Sequence, residues 1–465
     1  MSGFAGLETA RRGLAAQRYS MEITGQNISN AYIPGYTRQV AVHGTAPQWW
    51  KIPLGSTAGA FYTGVEIVEV KRSYDAYLWE RARDLQSKMT DGYARYDILS
   101  RLEEVLNEPS DAGLGTALED FWSSWSQLAV APNSNPSRID VIYRAVTVAE
   151  NFRLARQRVA ELQVEAEQHV EDYLKQLNEL VTGLADINRT ISASKGAGHS
   201  TAANHLLDRR DQLLEEIASI AKVAVSVKDD GTVRVSLAGL TLVDGDSAFQ
   251  VGMQKDAATG RLELVWGDKK LSAEQIGGYL GGYLSAHNDD LNFFAERLDA
   301  LAVSLIEQVN ALHMAGYDKT GRPGEAFFTG TGAADINISA AIMDNPEKLA
   351  AAAGTDASDG DQAQKIANLR SEPAFAGGKC VSVFYREIIT ELGLKSRSAF
   401  FTYQSDQVLS DYIERRKEAL AGVSLDEELT DMIMHQQAYN ASARLLTAID
   451  EMLEVLINRT GIVGR

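Results

Sequence analysis

Apolar and polar positions follow two rhythms along this chain, and each predicts its own kind of element. Near the C-terminus Leu425, Leu429, Met432, Gln436, Tyr439, Ala443 and Leu446 recur at steps of four and three, and the row runs on through Ile449, Leu453 and Leu456. That spacing is a heptad seam, so residues 424–458 are expected as one helix. Ser424 suits its N-cap, Glu427 completes a capping box, and Gly461 stops it. At the other end Leu7, Leu14, Met21 and Ile28 repeat every seven residues, with Phe4 and Ala10 beside them. Helical rhythm also fills 73–107, 117–128, 137–194, 204–220, a glycine-interrupted stretch from Ala273 to His313, and 380–421. Over 221–272 the period drops to two. Val223, Val225 and Val227 alternate, Asp229-Asp230-Gly231 signals a hairpin, and Val233, Val235 and Leu237 alternate again. Apolar runs at 240–243, 249–253 and 262–266 add short strands.

The layout is nested. It predicts a mainly α, multidomain protein with a β insertion. Residues 1–40 and 424–465 form a paired, coiled-coil terminal domain. Residues 41–220 and 273–423 form a long-helix bundle, and 221–272 a small inserted β domain. Between the first helix and the bundle, Pro34-Gly35 suits the centre of a type II turn. Val65, Ile67, Val68 and Val70 suggest one or two strands, and Trp49-Trp50 a partly buried loop. A bare apolar stripe must be buried against something. Periodicity alone leaves open whether that is the chain's own core or another subunit.

Composition acts mostly by exclusion. A formal net charge of −18 argues against nucleic acid or an anionic membrane as partner. No apolar run reaches the ~18 residues of a membrane span, and the N-terminus lacks the apolar core of ~7 residues that a cleaved signal peptide carries. Composition by itself would read as cytoplasmic. The one cysteine, Cys380, reads as a small hydrophobe on a helical face. The seven histidines lack His-Glu-x-x-His spacing. Gly196, Gly198 and Ser200 lack a Walker lysine, so they read as a flexible loop. Asp356, Ser358, Asp359 and Asp361 miss the EF-hand spacing. Glu427 and Glu428 fit a helix start by complementing its dipole. No catalytic, metal or cofactor-binding residue is assigned, and no enzyme is expected.

Two motifs carry a resemblance. Asn-Ile-Ser-Asn (27–30) followed by Pro-Gly-Tyr-Thr-Arg-Gln (34–39) resembles the N-terminal signature of bacterial flagellar rod, hook and hook-associated proteins. Leu-Asp-Glu-Glu-Leu (425–429), Gln-Gln-Ala-Tyr-Asn-Ala-Ser-Ala-Arg (436–444) and Leu-Ile-Asn-Arg-Thr-Gly-Ile-Val-Gly-Arg (456–465) resemble the first of the two junction members of that family. Phe-Trp-Ser-Ser-Trp (121–125), Leu-Leu-Asp-Arg-Arg-Asp-Gln-Leu (206–213) and the turn-rich run 316–328 are similar to it as well. The resemblance implies a structural, extracellular protein at the hook–filament junction. It would leave through the flagellar type III channel without a cleaved signal. It implies a homo-oligomeric ring that touches hook protein and the second junction protein, and an export chaperone on the C-terminal helix. The assembly residues would be Leu7, Leu14, Met21, Asn27, Ile28, Asn30, Gly35, Tyr36 and Arg38, with Leu425, Leu429, Met432, Tyr439, Leu446, Ile449, Leu453 and Leu456. Another axial protein of the family, or an axial protein with an enzymatic insertion, are the alternatives.

Overall fold

The first helix, α1 (Ser2–Asn30), runs through the whole Asn-Ile-Ser-Asn motif before the chain turns. A computed structural model describes residues 2–46, 64–106, 110–196, 204–375 and 377–458 of the 465. The expectations for Trp49, Trp50, Gly198, Ser200 and Gly461, and for the side chains of Phe4 and Leu456, lie outside the described residues.

After α1, Tyr36 N donates to Ile33 O (3.1 Å) across Pro34-Gly35, and Gly35 has φ +76°. This is the type II turn that the pair predicts, and its second centre position needs positive φ. Strands β1 (Gln39–Thr45) and β2 (Val65–Arg72) pair antiparallel with a bulge at Val42/His43. Helix α2 (Ala76–Leu106) starts three residues later than its periodicity suggests. Asp75 is the reason: its carboxylate accepts from the backbone of Tyr77 (2.9 Å) and Leu78 (3.2 Å), which caps the helix there. Helices α3 (Leu114–Val130), α4 (Asn135–Gly196) and α5 (Asn204–Ile220) follow. At 62 residues α4 is a rod of roughly 90 Å.

The period-two stretch becomes two small antiparallel sheets. One orders β3 (Val223–Val227), β4 (Val233–Leu237), β5 (Leu240–Asp244) and β6 (Ser247–Ala248) side by side. The other orders β7 (Gly252–Lys255), β8 (Leu262–Trp266) and β9 (Lys269–Leu271). The expected strand at 249–253 therefore begins only at Gly252, with Phe249 left part-exposed beside it. Asn188 and Asn178 on α4 each bond both backbone groups of one residue, Val233 and Val251, so the long helix acts as an extra partner for the sheets. The inward side chains Val233, Val235 and Leu237 are fully buried.

The helix expected from Ala273 onward is broken. Short α6 (Ala273–Ile276) gives way to α7 (Gly278–Ser285) through Gly277 and Gly278, both at positive φ. A Cβ on Gly278 would lie 2.4 Å from Ile220 O, so only glycine lets the chain pass the end of α5. A π-turn at Ala286–Leu291 then leads into α8 (Asn292–Ala315). The turn gathers buried polar groups: Asn288 pairs with both backbone groups of Leu262, and fully buried Asp290 meets Arg95 (2.7 Å) and Lys395 (3.0 Å). Strands β10 (Phe328–Thr329) and β11 (Asn337–Ile338), then α9 (Ala340–Asp344) and α10 (Asp361–Asn368), fill the next segment. Helices α11 (Val381–Ala421) and α12 (Leu425–Asn458) complete the fold.

One core runs through the bundle helices and the inserted sheets, and its aromatic centre lies where α3 meets the segment leading into β10. Phe121, Trp122 and Trp125 are fully buried, with Phe121–Phe328 centroids at 5.8 Å and Trp125–Phe327 at 5.5 Å. Two stretches singled out separately in the sequence thus pack on each other. Cys380 is not a buried hydrophobe: it is half-exposed, just ahead of the first turn of α11.

Candidate assembly site

Helices α1 and α12 lie antiparallel, and the contact line between them differs from the leucine columns. A Cβ on Gly6 would sit 3.0 Å from Ile449, and one on Gly13 would sit 3.1 Å from the Ser442 hydroxyl. His435 Nδ1 donates to Gln17 Oε1 (2.8 Å), and Asn27 Nδ2 donates to Glu428 Oε2 (2.9 Å). On α1 the contact line is therefore Gly6, Gly13, Gln17 and Asn27, with buried Ala10 and Ser20 at the same helical spacing and Ser20 bonded to His43 of β1. Leu7, Leu14, Met21 and Ile28 stand one position around the helix, half-buried at its margin. Small residues hold the line because they let two backbones approach closely. On α12 Ile449 is buried against Gly6, and Met432, Tyr439, Leu446 and Leu453 are half-buried, while Leu429 is half-exposed and Gln436 is exposed. Leu425, at the head of the helix, is half-buried.

The line ends in a polar clasp. Asn27 is buried. Its Oδ1 accepts from Tyr36 Oη (2.8 Å) and from Gln39 N (3.0 Å), and its Nδ2 also donates to Gln39 O (2.9 Å). Arg38 Nε donates to Glu428 Oε1 (2.6 Å), and its other nitrogens reach Asp431 (3.3 Å) and Glu427 (3.6 Å). Arg38 N also bonds Ala421 O (2.8 Å), just before α12 begins. The signature residues Asn27, Tyr36 and Arg38 thus converge on Glu428, which is 1% exposed. Burial pushes the Tyr36 phenol up to about 12, so it stays a donor.

A second layer ties the same turn to the bundle. Arg72 pairs with Asp208 (3.1 Å) and with Asp211, and Arg210 also pairs with Asp211 (2.7 Å). Asn204 donates to Gln39 Oε1 (3.0 Å) and Val70 O (3.3 Å). Burial raises the Asp208 carboxyl, and the Arg72 charge works against that rise. Gly35 lies against the Gln212 side chain, where a Cβ would clash, and Asn30 is half-buried beside the turn.

Sequence reasoning gave Glu428 only a helix-start role and missed Gln17, Ser442, Arg72 and Asp208. Glu428 sits four before Met432 and seven before His435, which is seam spacing, but a search for apolar repeats passes over a carboxylate. It also missed a second row on α12. Met434, Ala438, Ala441, Leu445, Ala448, Met452 and Val455 repeat at steps of four and three and carry no charge. They point away from α1. Met434, Leu445, Met452 and Val455 are 47–57% exposed.

The aspartates near 356–361 serve their own loop. Asp356 accepts from Ser358, and Asp359 from the backbone of Ala353, Gly354 and Asp361. Among the described residues no cluster of metal-ligating side chains is present, and no helix is long and apolar enough to cross a membrane.

Comparison with known proteins bears on this site. A family described as the flagellar hook-associated protein FlgK helical domain matches residues 99–328, and the flagellar basal body rod FlgEFG protein C-terminal family matches 419–459. Flagellar hook-associated protein 1 of Bacillus subtilis is 30% identical over 100% of both chains. Its Escherichia coli counterpart is 25% identical over 97% of this chain and 99% of its own. The flagellar hook junction protein FlgK of Burkholderia pseudomallei superposes with a TM-score of 0.67 at 15% identity, over 73% of this chain and 99% of that one.

Proposed function

We infer the working of this chain from one premise: it belongs to the flagellar hook-associated protein 1 family, structural proteins of the junction between flagellar hook and filament. Its place is accordingly external, on the flagellum. On that premise the α1–α12 pair is the unit that packs against neighbouring subunits. The observation that carries this is the charge-free second row of α12. A row sustained at heptad spacing over three heptads fits another helix, and left bare it is an aggregation hazard.

In this reading copies of the chain form a ring. Their α1–α12 pairs stack around the central channel with Leu7, Leu14, Met21 and Ile28 on the flank of each pair, and the clasp at Asn27, Arg38 and Glu428 fixes each pair to its bundle. The division into terminal pair, long-helix bundle and inserted β module follows the boundaries read from the sequence. The ring sits between hook protein and the second junction protein. Before export through the type III channel, which needs no cleaved signal, a chaperone covers the bare row of α12. The work is packing and mechanical coupling, with no catalysis assigned. A peptidase assay on the purified chain checks that assignment.

The experiment is localisation. A small tag placed in an exposed turn of the β module, in cells whose only copy is tagged, should label the boundary between hook and filament. Label spread along the filament, or confined to the rod, would contradict the reading.

A further inference from the structure

Six of the seventeen tyrosines gather where α2, α4, α7 and α11 meet: Tyr93 and Tyr96 from α2, Tyr173 from α4, Tyr279 and Tyr283 from α7, and Tyr403 from α11. Their rings touch in series. Tyr96 stacks on Tyr403 (6.3 Å between centroids), Tyr403 meets Tyr93 (5.4 Å), Tyr93 stands edge-on to Tyr279 (6.2 Å), and Tyr279 stacks on Tyr173 (4.6 Å). Tyr93, at 38% exposure, brings the series to the surface, and buried Tyr283 closes its inner end, 5.9 Å from Tyr173. The Tyr173–Tyr279 contact is the tightest of these, with half-buried rings whose planes lie within 5° of parallel. Packing explains the rings, because aromatic pairs at this separation attract. It does not explain the hydroxyls. Neither phenol of that pair bonds another group among the described residues, and phenylalanine would fill the same space.

What a phenol adds to a ring is one-electron chemistry. We propose that Tyr173 and Tyr279 are an oxidative cross-linking site, at which hydrogen peroxide, acting through a haem peroxidase, joins the two rings by a carbon–carbon bond. Each phenol gives up one electron and its proton, and the two phenoxyl radicals couple through the ring carbons next to the hydroxyls. The hydrogen on each coupled carbon then moves to oxygen, which restores both phenols. In sum, two tyrosines and one hydrogen peroxide give one dityrosine and two waters. Burial raises both phenols, so neither ionises at neutral pH and the proton leaves with the electron. The oxidant meets the series at Tyr93, and the electron vacancy passes through the ring contact with Tyr279 to the stacked pair. The bond ties α4 to α7, on either side of α5 and both sheets of the β module. It closes that segment into a loop, which restrains its unfolded state. The proposal rests on the external place of the protein, away from the thiol pools that hold a cell interior reduced, and not on subunit assembly.

The test treats the purified full chain with hydrogen peroxide and a haem peroxidase. It should gain dityrosine fluorescence while it still runs as a monomer in a denaturing gel. Its digest should hold the peptides of Tyr173 and Tyr279 joined and two hydrogens lighter, and the linked chain should melt at a higher temperature. Tyr173→Phe and Tyr279→Phe should each lose this product while the unoxidised variants melt as the wild type does, since the rings remain. Tyr93→Phe should slow its formation. Tyr143→Phe, which removes an exposed tyrosine of α4 outside the series, should leave it unchanged. The same joined peptides should come from flagella sheared off peroxide-treated cells. No dityrosine in the purified chain, a product that survives Tyr279→Phe, links only between chains, or the two peptides recovered unjoined from treated flagella would each overturn the site. A tag found away from the hook–filament boundary would instead overturn the junction reading and leave the chemistry of the purified chain as it stands.

Discussion

At the scale of single residues the molecule is held together by a few buried polar groups with complete partner sets. Glu428 is the main one, with Asn27 and Arg38 both bonded to its carboxylate. Removing one partner of a buried charge costs more than the pair contributes, because the remaining charge stays desolvated. Glu428→Ala should therefore cost roughly 3 kcal/mol of local stability. It should show as faster amide exchange through residues 27–39, and Glu428→Gln, which keeps an acceptor, should lose less. Unchanged exchange in the alanine variant would mean that the clasp is not structural. His313 makes a second prediction. Its Nδ1 donates to Glu325 O (2.6 Å) and its Nε2 accepts from Ala350 N (2.9 Å), a pattern only the neutral ring can satisfy. Burial lowers its pKa from 6.5 to about 4. The folded state then binds fewer protons than the unfolded one between those values. Its stabilising contribution is complete above pH 6.5 and is lost as the pH falls towards 4. The loss is of the order of 3 kcal/mol. Urea unfolding of wild type and His313→Gln should show a shallower acid loss in the variant. Parallel pH profiles would contradict this.

At the scale of elements the contrast between α1 and the other long helices shows what a sequence displays. Large apolar residues at period three-and-a-half announce a helix reliably, and α4, α5, α11 and α12 stand within a few residues of where their patterns put them. The hairpin at Asp229–Gly231 and the turn at Pro34–Gly35 were legible because each needs a residue that tolerates positive φ. The face of a helix is a different matter. Leu7, Leu14, Met21 and Ile28 are the most apolar column of α1, yet Gly6, Gly13, Gln17 and Asn27 make the contact, because close helix approach at Gly6 and Gly13 selects for small size rather than hydrophobicity. The π-turn at Ala286–Leu291 left no signal at all, since one extra residue in a turn changes no composition and only Asp290 and Asn288 explain it. Contact through the small-residue column predicts a specific cross-link. The Cβ positions of Gly13 and Ser442 lie 3.7 Å apart, within disulfide range. Gly13→Cys/Ser442→Cys should oxidise to an intramolecular disulfide in the monomer. Leu14→Cys/Ser442→Cys should do so far more slowly, and equal rates would show that the two columns share the contact.

At the scale of the whole molecule, a chain of nested helices keeps its two ends together and leaves a clean apolar row on the outermost one. Leu446 is already half-buried within the monomer, so a charge there disturbs the monomer as well as any assembly. Leu445 is its neighbour on the outward row, 47% exposed and without a role inside the chain's core. An aspartate at 445 costs the monomer little in water, but buried unpaired between subunits it would cost several kcal/mol at every repeat of the proposed ring. The decisive measurement is electron microscopy of cells whose only copy of this protein is Leu445→Asp, folded at the wild-type melting temperature and secreted at the wild-type level. The account predicts hooks without filaments. Filaments of normal number and length would contradict it, because the outward row of α12 would then not be an assembly surface.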